Sequence, residues 1–599
     1  MLLVTTLTSL TLVGVPAPQS CGDADPFAPA TPESQGLEAK DLADLVGIVQ
    51  EYYERDFFVG AELLVVKNRR TVLHEYFGHA DREEELQWDG KTICNIRSMT
   101  KCLTGAALQI LVDREEVSID DYVVDYLPGF DTDKARDITI RQVLTHRAGL
   151  PLTILQQSLD EYPNLESMAN AVGRRGPDRK PGSRFWYSDS GTDVVGAIVE
   201  IISEQTLDEF IRAELLEPLG MRDSFYYLDG EDPRRERIGS LYLGSPGKWS
   251  RYFDPSERPF YPYAWGSQTL YSTPLDYARF LAMWMDGGKW NTRQILSPAA
   301  VERTLMPVSE MSMLGSSARF PTSFQGLEVM YGQMSVLHTP LSSQGEGPAV
   351  IIGHSGSDGT IAWAWPKRDL MILFFTQSRG GAAVLRLEEP IDRLLINPEA
   401  YVGHDEIPDE LQPYLGSYIA DWSSYMKEEF VVRVRNGKLA LDIPSQMLFE
   451  LEKLKDQEKW RFAISSGVTV WFERHGDEAI NCLRVRQGRT SFEAPRKGTP
   501  HAKEVALRNL PDPDVVEEIS GIYQDASSDT QLKVFLKGDY MALQEPEGTY
   551  HLWKVPDQDT WQVRENPAAS ITFQKDGGIV VSMTRRIPGV PTAVMERIE

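Results

Sequence analysis

Residues 98–114 read SMTKCLTGAALQILVDR, and this stretch decides much of the fold prediction. A helix here would place Ser98 and Lys101 side by side, because residues three apart in a helix share a face. Ser98 at the helix start would also lie at the positive end of the helix dipole, which favours an oxyanion. A serine is a weak nucleophile until a neighbour takes its proton, and an amine of lowered pKa can do so. The apolar residues recur at the spacing of a helix packed into a core: Leu103, Ala106, Ala107, Ile110 and Leu111.

Strand and helix patterns alternate on both sides of this helix, from about residue 60 to residue 397. The apolar periodicity predicts a hairpin of strands 60–66 and 71–77 across a turn at 68–70, helices over 192–204 and 274–285, and an antiparallel meander of strands 349–353, 360–365 and 370–377. The pattern therefore indicates a mixed α/β domain.

After Pro398 the pattern changes to short strands separated by turn residues, and long helical patterns vanish. A weak internal repeat relates residues 411–418 to residues 516–523, and a strand-turn-strand pattern follows each. We interpret the repeat as two tandem β-barrels, each closed or nearly closed. One larger β-sandwich is the alternative. Residues 511–514, which read PDPD, are predicted to link the two units.

The composition narrows the class of function. The chain has 599 residues, which is too long for one hydrophobic core, so we expect several domains. Its formal net charge of -27 would repel a phosphate backbone, so we expect no nucleic-acid partner. Such a surface favours neutral or cationic ligands over anionic ones. The cysteines show no zinc-ligand or disulfide-framework spacing, so neither a metal site nor a cofactor is predicted. Of the cysteines, Cys94 and Cys102 are predicted to be small buried apolar residues.

The first residues resemble an export signal. An apolar run over 1–15 is too short to span a bilayer, but it suits the hydrophobic part of a signal peptide. No Lys or Arg precedes Lys40, so the basic start of such a signal is missing. We expect a signal peptide over 1–21, a linker over 22–34 and an extracytoplasmic location, with no transmembrane segment. Cys21 is a candidate for a lipid anchor, but the residues before it match a lipid-attachment signal badly.

Two further short motifs follow at wide separation along the chain. Tyr187-Ser188-Asp189 precedes a predicted helix, and His354-Ser355-Gly356 ends a predicted strand. Each motif alone carries little information, since a tyrosine in a turn is usually a packing residue. The serine-lysine pair alone also fits a capping serine beside a surface lysine. Their order along the chain is what carries the signal.

In that order the motifs resemble those of the serine β-lactamase, DD-peptidase and esterase superfamily, particularly its class C-like branch. That superfamily uses S-x-x-K, then Y-x-N, then a K/H-x-G strand. Residues 137–151, which read DITIRQVLTHRAGLP, are close to a hallmark of the superfamily, in which His146 is structural. The resemblance covers roughly residues 35–400. It implies an antiparallel sheet flanked by helices.

The resemblance also implies two-step acyl transfer. Ser98 would attack a carbonyl, with Lys101 and Tyr187 acting together as the base. The backbone N–H groups of Ser98 and Ser357 would form the oxyanion hole. The remaining residues that would contact or orient the substrate are His354, Gly356 and Asp189.

Asp189 departs from the superfamily, which usually has Asn at this position. A carboxylate close to Lys101 favours the charged lysine and opposes its use as a free base. We therefore favour Tyr187 as the base, with Lys101 cationic beside it. Asp189 also favours substrates with a neutral or cationic end. The order of preference is D-amino-acid peptides, then small esters, then β-lactams.

The C-terminal half resembles the D-aminopeptidase arrangement, in which two antiparallel β-barrels follow the catalytic domain. On this basis the domain over 35–400 is followed by barrels over 405–500 and 510–599. The barrels would be spacers, modifiers of the active-site mouth or cell-wall binding modules. The partner of the whole chain is then a small-molecule or peptide substrate.

Two rival interpretations remain. Residues 353–357 nearly match the G-x-S-x-G elbow of α/β-hydrolases, which would make Ser355 the nucleophile with His404 following it. The elbow requires a strand followed by a helix, whereas a meander is predicted here. The second rival is a non-catalytic binding protein, which only Asp189 favours.

Overall fold

The computed structural model describes most of the chain from residue 26 to residue 598. It leaves out 155–161, 229, 245, 255–260, 313–318, 321, 344–346, 381–382, 403–406, 436, 444–447, 456, 464, 477–478, 489, 526–529, 546–547, 557 and 588–591. The predicted signal peptide, Cys21 and His404 lie outside the described residues. Among the described helices, none has the length and apolar character needed to cross a membrane.

The first part of the chain is built on a nine-stranded sheet of order β10-β11-β12-β13-β14-β15-β1-β2-β3. Its ladders are antiparallel. The strands up to residue 379, with the short ones outside this sheet, are β1 Gly60–Lys67, β2 Arg70–Asp81, β3 Leu86–Gln87, β4 Cys94–Asn95, β5 Leu241–Leu243, β6 Ser250–Phe253, β7 Tyr271–Ser272, β8 Lys289–Trp290, β9 Arg293–Gln294, β10 Ser309–Glu310, β11 Leu327–Tyr331, β12 Val336–Pro340, β13 Ile351–Ser355, β14 Ile361–Trp365, β15 Leu370–Thr376 and β16 Ser378–Arg379.

Helices cover both faces of this sheet. They are α1 Ala39–Glu54, α2 Thr100–Asp113, α3 Ile140–Leu144, α4 Leu165–Arg175, α5 Asp189–Ser203, α6 Leu207–Ile211, α7 Glu217–Leu219, α8 Pro274–Met285, α9 Pro298–Thr304 and α10 Ala383–Ile391. Alternate residues of β1 face opposite layers: Leu64 belongs to the core with α2, α5 and α8, whereas Leu63 belongs to the core with α1 and α10. Helix α2 runs through the larger core with its first twelve residues buried. The predicted core helix is thus confirmed.

The hairpin and the meander also agree with the sequence pattern. The β1–β2 turn consists of two residues, Asn68 and Arg69, rather than the predicted three, and both have positive φ. Two such residues form the turn that suits the twist of a tight hairpin. The observed helix α8 has the predicted bounds, and α5 begins three residues earlier than predicted because Ser188 caps it at Asp189.

Two eight-stranded antiparallel barrel sheets follow. The first has its strands in chain order: β17 Gly416–Trp422, β18 Tyr425–Arg435, β19 Lys438–Asp442, β20 Leu448–Lys453, β21 Lys459–Phe462, β22 Ser465–Glu473, β23 Cys482–Gln487 and β24 Thr490–Pro495. A single bridge between Tyr418 and Arg496 joins its two ends, so this sheet is nearly closed.

The second barrel is closed, because its first and last strands pair with each other. Its strands are β25 Gly521–Asp525, β26 Gln531–Lys537, β27 Tyr540–Glu545, β28 Gly548–Lys554, β29 Thr560–Val563, β30 Asn566–Asp576, β31 Ile579–Arg586 and β32 Ala593–Arg597. Each barrel has its own core, so the single sandwich is wrong and the two-barrel fold is confirmed.

The internal repeat has a structural basis in one tyrosine per barrel. Buried Tyr418 donates its hydroxyl to the carbonyl of Tyr414 at 2.8 Å, and buried Tyr523 donates to the carbonyl of Ile519 at 2.7 Å. Both bonds reach back four residues and tie the first strand to the segment before it. The repeat therefore marks the same structural position twice.

The segment between the barrels is more helical than the sequence pattern predicts. It contains α11 Pro500–Arg508 and α12 Pro513–Ile519. The predicted linker at 511–514 contains the start of α12, where the Asp512 side chain accepts a hydrogen bond from the Asp514 N–H. The proline that indicated a linker occupies the first helical position, where a missing N–H is tolerated.

Candidate active site

The structure brings Ser98 and Lys101 together where α2 begins. A 3₁₀ turn over Arg97–Met99 leads into the helix, which begins at Thr100. Ser98 therefore lies just before the helix, whereas the sequence pattern predicted that the helix begins at Ser98. The Lys101 Nζ lies 3.2 Å from the Ser98 Oγ. Ser98 is half-buried, whereas the Lys101 side chain is 0% exposed. The hydroxyl is therefore within reach of a ligand, and the amine is reachable only through it or its neighbours.

Lys101 is held by an acidic partner. Its Nζ donates to an Asp189 carboxylate oxygen at 2.6 Å and to the Ser267 carbonyl at 2.9 Å. Burial by itself lowers the pKa of the lysine, but the charge of Asp189 and its hydrogen bond outweigh burial and leave that pKa above its usual value. Lys101 is thus cationic in the resting site.

Tyr187 approaches the lysine from the segment before α5. The Lys101 Nζ lies 5.0 Å from the centre of the tyrosine ring. Burial raises the pKa of Tyr187, the charge of Lys101 lowers it, and the charge of Asp189 raises it again. The hydroxyls of Ser98 and Tyr187 interact closely enough for the serine to lower the tyrosine pKa as a hydrogen-bond partner. The side chains of Ser98, Lys101 and Tyr187 therefore form one contiguous polar group.

The start of α5 determines where Tyr187 and Asp189 lie. The Ser188 hydroxyl accepts from the Gly191 N–H at 2.8 Å, which caps the helix, and donates to the Pro151 carbonyl at 2.6 Å. The second bond attaches this corner to the hallmark segment 137–151. Ser188 thus connects the two most diagnostic stretches of the sequence.

A second carboxyl lies one helical turn beyond Asp189. Buried Asp193 accepts from the Ser267 N–H at 3.0 Å, while the Ser267 carbonyl accepts from Lys101. Burial, with the neighbouring charge of Asp189, raises the pKa of Asp193 to about 7. The sequence analysis missed Asp193 and Ser267. Only the four-residue spacing from Asp189 to Asp193 hinted at a shared face.

His354 lies at the end of β13, on the sheet side of the site. Its Nε2 is 3.3 Å from the Tyr331 hydroxyl, and its Nδ1 contacts the Ser355 backbone. Burial and the positive charge of Lys101 lower the pKa of His354 to about 3. The imidazole is therefore neutral, and it cannot supply the positive charge that a lysine would at this position.

Gly356 and Ser357 follow in the turn after β13. A Cβ on Gly356 would lie 2.2 Å from the Thr360 Oγ1 and 2.6 Å from the Ile96 carbonyl oxygen, so only glycine lets this turn pack beside the nucleophile turn. The Ser357 hydroxyl is exposed and accepts from Arg379 at 2.7 Å. The predicted oxyanion turn thus packs against the segment that contains Ser98.

An ion pair that the sequence analysis missed joins these two turns. The Arg97 Nε donates to Asp358 at 2.6 Å, and its other nitrogens donate to the hydroxyls of Tyr261 and Tyr252. Arg97 and Asp358 are both buried, and Arg379 lies 3.2 Å from the second oxygen of Asp358. Arg97 has a φ of 48°, a conformation that an arginine keeps only when its surroundings hold it.

His146 packs beneath the site as a structural residue. Its ring centre lies 4.5 Å from that of Tyr187 and 4.8 Å from that of Tyr331. Burial, with the charge of Lys101, holds the pKa of His146 well below its usual value. A buried neutral ring packed at a tilt against Tyr187 orients that side chain rather than exchanging protons with a substrate.

The elbow interpretation of residues 353–357 is wrong. Ser355 ends strand β13, and a turn leads directly into antiparallel β14, with Ser355 opposite Ile361. No helix follows the serine, so the strand-turn-helix geometry of the elbow is absent from this described segment. Cys94 and Cys102 are both buried and free, as predicted.

This sheet, its two helical layers and the serine-lysine site together form a β-lactamase-like domain. The chain belongs to the beta-lactamase family, since the model of that family matches residues 45–395, more than half of the chain. Members of this family are in general hydrolases.

Individual relatives are distant. "Protein flp" of Staphylococcus aureus strain MW2 is 27% identical over 205 residues, 33% of this chain and 41% of that protein. The chain thus spans less than half the length of these curated relatives. The "Putative D-alanyl-D-alanine carboxypeptidase" of Salmonella schwarzengrund is 23% identical over 414 residues, 62% of this chain and 89% of that protein.

One solved structure extends the similarity of fold into the C-terminal half. The octameric penicillin-binding protein homologue from Pyrococcus abyssi is 19% identical, with a TM-score of 0.50. The match covers 85% of this chain and 99% of that one. At this identity the likeness concerns the fold alone.

Proposed function

We propose that this protein is a serine hydrolase that cleaves an amide or ester bond through an acyl-enzyme on Ser98. The contact of 3.2 Å between the Lys101 Nζ and the Ser98 Oγ, with Tyr187 beside both, carries the proposal. A hydroxyl flanked by two titratable groups has a route for its proton, which an inert serine lacks.

In the proposed first step the Ser98 oxygen bonds to the substrate carbonyl carbon while its proton passes to Tyr187. The cationic Lys101 stabilises the tyrosine in its deprotonated form. The proton then goes to the leaving amine or alcohol as the carbonyl–leaving-group bond breaks. In the second step water attacks the acyl carbon and gives a proton to Tyr187. The bond from the acyl carbon to Ser98 then breaks, the proton returns to Ser98, and the acid is released. The N–H groups of Ser98 and Ser357 bind the oxyanion, and one such donor is typically worth about 3–4 kcal/mol.

The basic form of Tyr187 is scarce at neutral pH, because burial and Asp189 raise its pKa. The rate should therefore increase with pH through the neutral range. If Lys101 were the base, the rate would also increase with pH, since the pKa of Lys101 is raised as well. The pH profile alone does not separate the two bases.

The proposed substrates are D-amino-acid peptides or small esters with a neutral or cationic end. Asp189 supports this choice, since its carboxylate lies where the superfamily usually has a neutral amide. The formal net charge of -27 also disfavours anionic ligands by long-range repulsion.

A carboxylate-bearing substrate, as in a carboxypeptidase or β-lactamase, is the second candidate. Arg379 favours it: this side chain is 40% exposed and donates to the Ser357 hydroxyl. Arg97, Arg379 and Asp358 together carry one net positive charge beside the predicted oxyanion turn. Comparing kcat/KM for a D-alanyl peptide with a free and with an amidated C-terminus, on the wild type and on Arg379→Gln, separates the two candidates.

Labelling with a fluorophosphonate, read by intact mass, tests the nucleophile. We expect one adduct on the wild type, none on Ser98→Ala, and one on the matched control Ser355→Ala. An adduct that persists in Ser98→Ala would contradict the assignment. A wild type that takes no label, although folded, would favour the non-catalytic binding protein.

The location and the partners of this chain are separate proposals. Export to an extracytoplasmic site and association with the cell envelope rest on the apolar run over 1–15 and on the two barrels. Extraction of cells into periplasmic, membrane and cytoplasmic fractions, followed by N-terminal sequencing, tests both.

A further inference from the structure

Four side chains with metal-binding atoms converge in the first barrel, far from Ser98 in sequence. They are His475, Cys482, Glu493 and His501, and their ligand atoms lie within 4.8 Å of one another. His475 follows β22, Cys482 begins β23, Glu493 lies on β24 and His501 lies in the first turn of α11. The cluster thus joins three consecutive segments of the barrel to the helix that leads to the second barrel.

Ring nitrogens of the buried His501 and the partly exposed His475 lack hydrogen-bond partners in the part of the chain that the structure describes. His501 is 7% exposed, and neither of its ring nitrogens has a hydrogen-bond partner among the described residues. The His475 Nε2 is also unpaired within the same part of the chain. By contrast, His551 of the second barrel bonds the Glu565 carboxylate at 2.7 Å. Buried polar groups are normally paired, whereas the carboxylate oxygens nearest these nitrogens lie 3.4–3.6 Å away, so the nitrogens are open to a further ligand.

The distances match a small tetrahedral site after a modest closure. The Glu493 Oε2 lies 3.4 Å from the His501 Nε2 and 3.9 Å from the Cys482 Sγ. A tetrahedral ion with bonds of about 2.0–2.3 Å separates its ligand atoms by about 3.3–3.8 Å. The two imidazoles stack with centres 3.9 Å apart and planes 10° apart, so both cannot aim at one ion without a tilt. His475 is the more exposed ring and is the one able to turn.

The charges of the ligands themselves favour a divalent cation. A thiolate and a carboxylate together carry the two negative charges that such an ion neutralises. Arg508 donates to the other oxygen of Glu493, which orients Oε2 toward the cluster. Arg484 lies 3.6 Å from Oε2 and bonds Glu473, whose carboxylate is 3.4 Å from the His475 Nε2. Outer partners of this kind orient metal ligands in many sites.

We propose that these four residues bind one zinc-class ion that fixes α11 to the first barrel. One sulfur, two imidazole nitrogens and one carboxylate oxygen are ligands typical of tetrahedral zinc. On binding, the Cys482 S–H bond breaks, its proton goes to solvent and a metal–sulfur bond forms. The sequence analysis predicted no metal site, because the ligands follow none of the short zinc spacings. Only the barrel and α11 bring them together.

The test uses the full chain, purified without a chelator or a histidine tag. We expect elemental analysis to find about one zinc per chain. After dialysis against a chelator, added Co²⁺ should produce a thiolate-to-cobalt charge-transfer band with the visible bands of a tetrahedral ion. The band should disappear in Cys482→Ser. In His501→Asn the affinity should fall by at least about 10-fold, the loss seen even for outer partners. The matched control His551→Gln should bind as the wild type does.

Two outcomes would overturn the site. One is a folded wild type that shows no charge-transfer band with Co²⁺. The other is a band that survives Cys482→Ser, which would assign the ion to another position. If a variant fails to fold, the wild type decides instead: X-ray absorption at the zinc edge should show one sulfur ligand at about 2.3 Å, and a coordination shell without sulfur contradicts the proposal.

Discussion

Two ion pairs flank Ser98, one with a partly exposed carboxylate and one fully buried, and they perform different tasks. Lys101 and Asp189 meet at 2.6 Å on the helix side, and Arg97 and Asp358 meet at 2.6 Å on the side of the predicted oxyanion turn. Lys101 keeps a contact to the Ser98 hydroxyl, whereas Arg97 donates to Asp358 and to two tyrosines. One cation faces the reacting group, and the other holds the backbone around it.

The difference follows from the side chains themselves. A lysine ammonium is a compact charge with three donors, so it can contact a carboxylate, a carbonyl and the serine at once. The planar guanidinium of Arg97 fits several fixed acceptors and remains charged. The lysine therefore suits the proton transfer at Ser98, and the arginine suits the task of keeping the strained turn in place.

The largest expected effect comes from Lys101→Met, which removes the cation that faces the reaction. The proposed proton transfer loses its electrostatic support, and we expect the rate to fall by about 10²–10⁴-fold, the range for a lost acid-base group. The free energy of unfolding should change less than when a fully buried pair is broken, because the Asp189 carboxylate left without its partner keeps partial access to water. Rates of ester hydrolysis and a urea unfolding curve measure the two effects. A variant that keeps wild-type turnover would remove Lys101 from the mechanism.

The next effect concerns the other pair. Asp358→Asn leaves the buried Arg97 guanidinium without its counter-charge, and breaking a buried pair in this way costs about 3–5 kcal/mol in the free energy of unfolding. Urea or guanidinium unfolding measures it. The matched control is Arg379→Gln, which contacts the same carboxylate from a half-exposed position and should cost about 0–1 kcal/mol. Equal losses in both variants would contradict the distinction between the two sides.

A smaller effect is expected when Asp189 is replaced by the residue usual in the superfamily. In Asp189→Asn the carboxylate charge is lost, so the raised pKa values of Lys101 and Tyr187 both fall. A group that must lose its proton then does so at lower pH, and the rising limb of the pH–rate profile should move down by about 1–3 pH units.

Asp193→Asn is the control for that shift. The Asp193 carboxyl bonds the Ser267 N–H rather than Lys101, so its variant should move the limb much less. If Asp189→Asn leaves the limb in place, the titrating base is neither of the two groups.

The smallest effect is expected at His354. Its pKa of about 3 keeps the ring neutral from weakly acidic to alkaline pH, so His354→Gln should leave the shape of the pH–rate profile unchanged over that range. Loss of its contact to Tyr331 is worth about 0.5–1.5 kcal/mol, or about 10-fold at most in kcat/KM. A limb that vanishes in this variant would show that the histidine titrates in the working enzyme.

Several elements were predictable because they depend on local periodicity. The spacing of apolar residues located α8 at its observed bounds and the core helix α2, and the same periodicity placed Lys101 one turn from Ser98. Boundaries set by side-chain caps were less accurate: Ser188 starts α5 at Asp189, and Asp512 turns a predicted linker into a helix. A cap depends on one hydrogen bond, which periodicity does not record.

By itself, the sequence determined the fold family, the two barrels and the serine, lysine and tyrosine that meet at the site, because motif order and local spacing survive in the chain. Tertiary structure alone decided that Asp358 pairs with Arg97 and that His475 and His501 stack in the first barrel. Those contacts join residues from different elements, and the strength of each depends on burial. Neither the pairing nor the burial is written in the spacing of the residues, since both arise only when the sheet, the helices and the barrels pack.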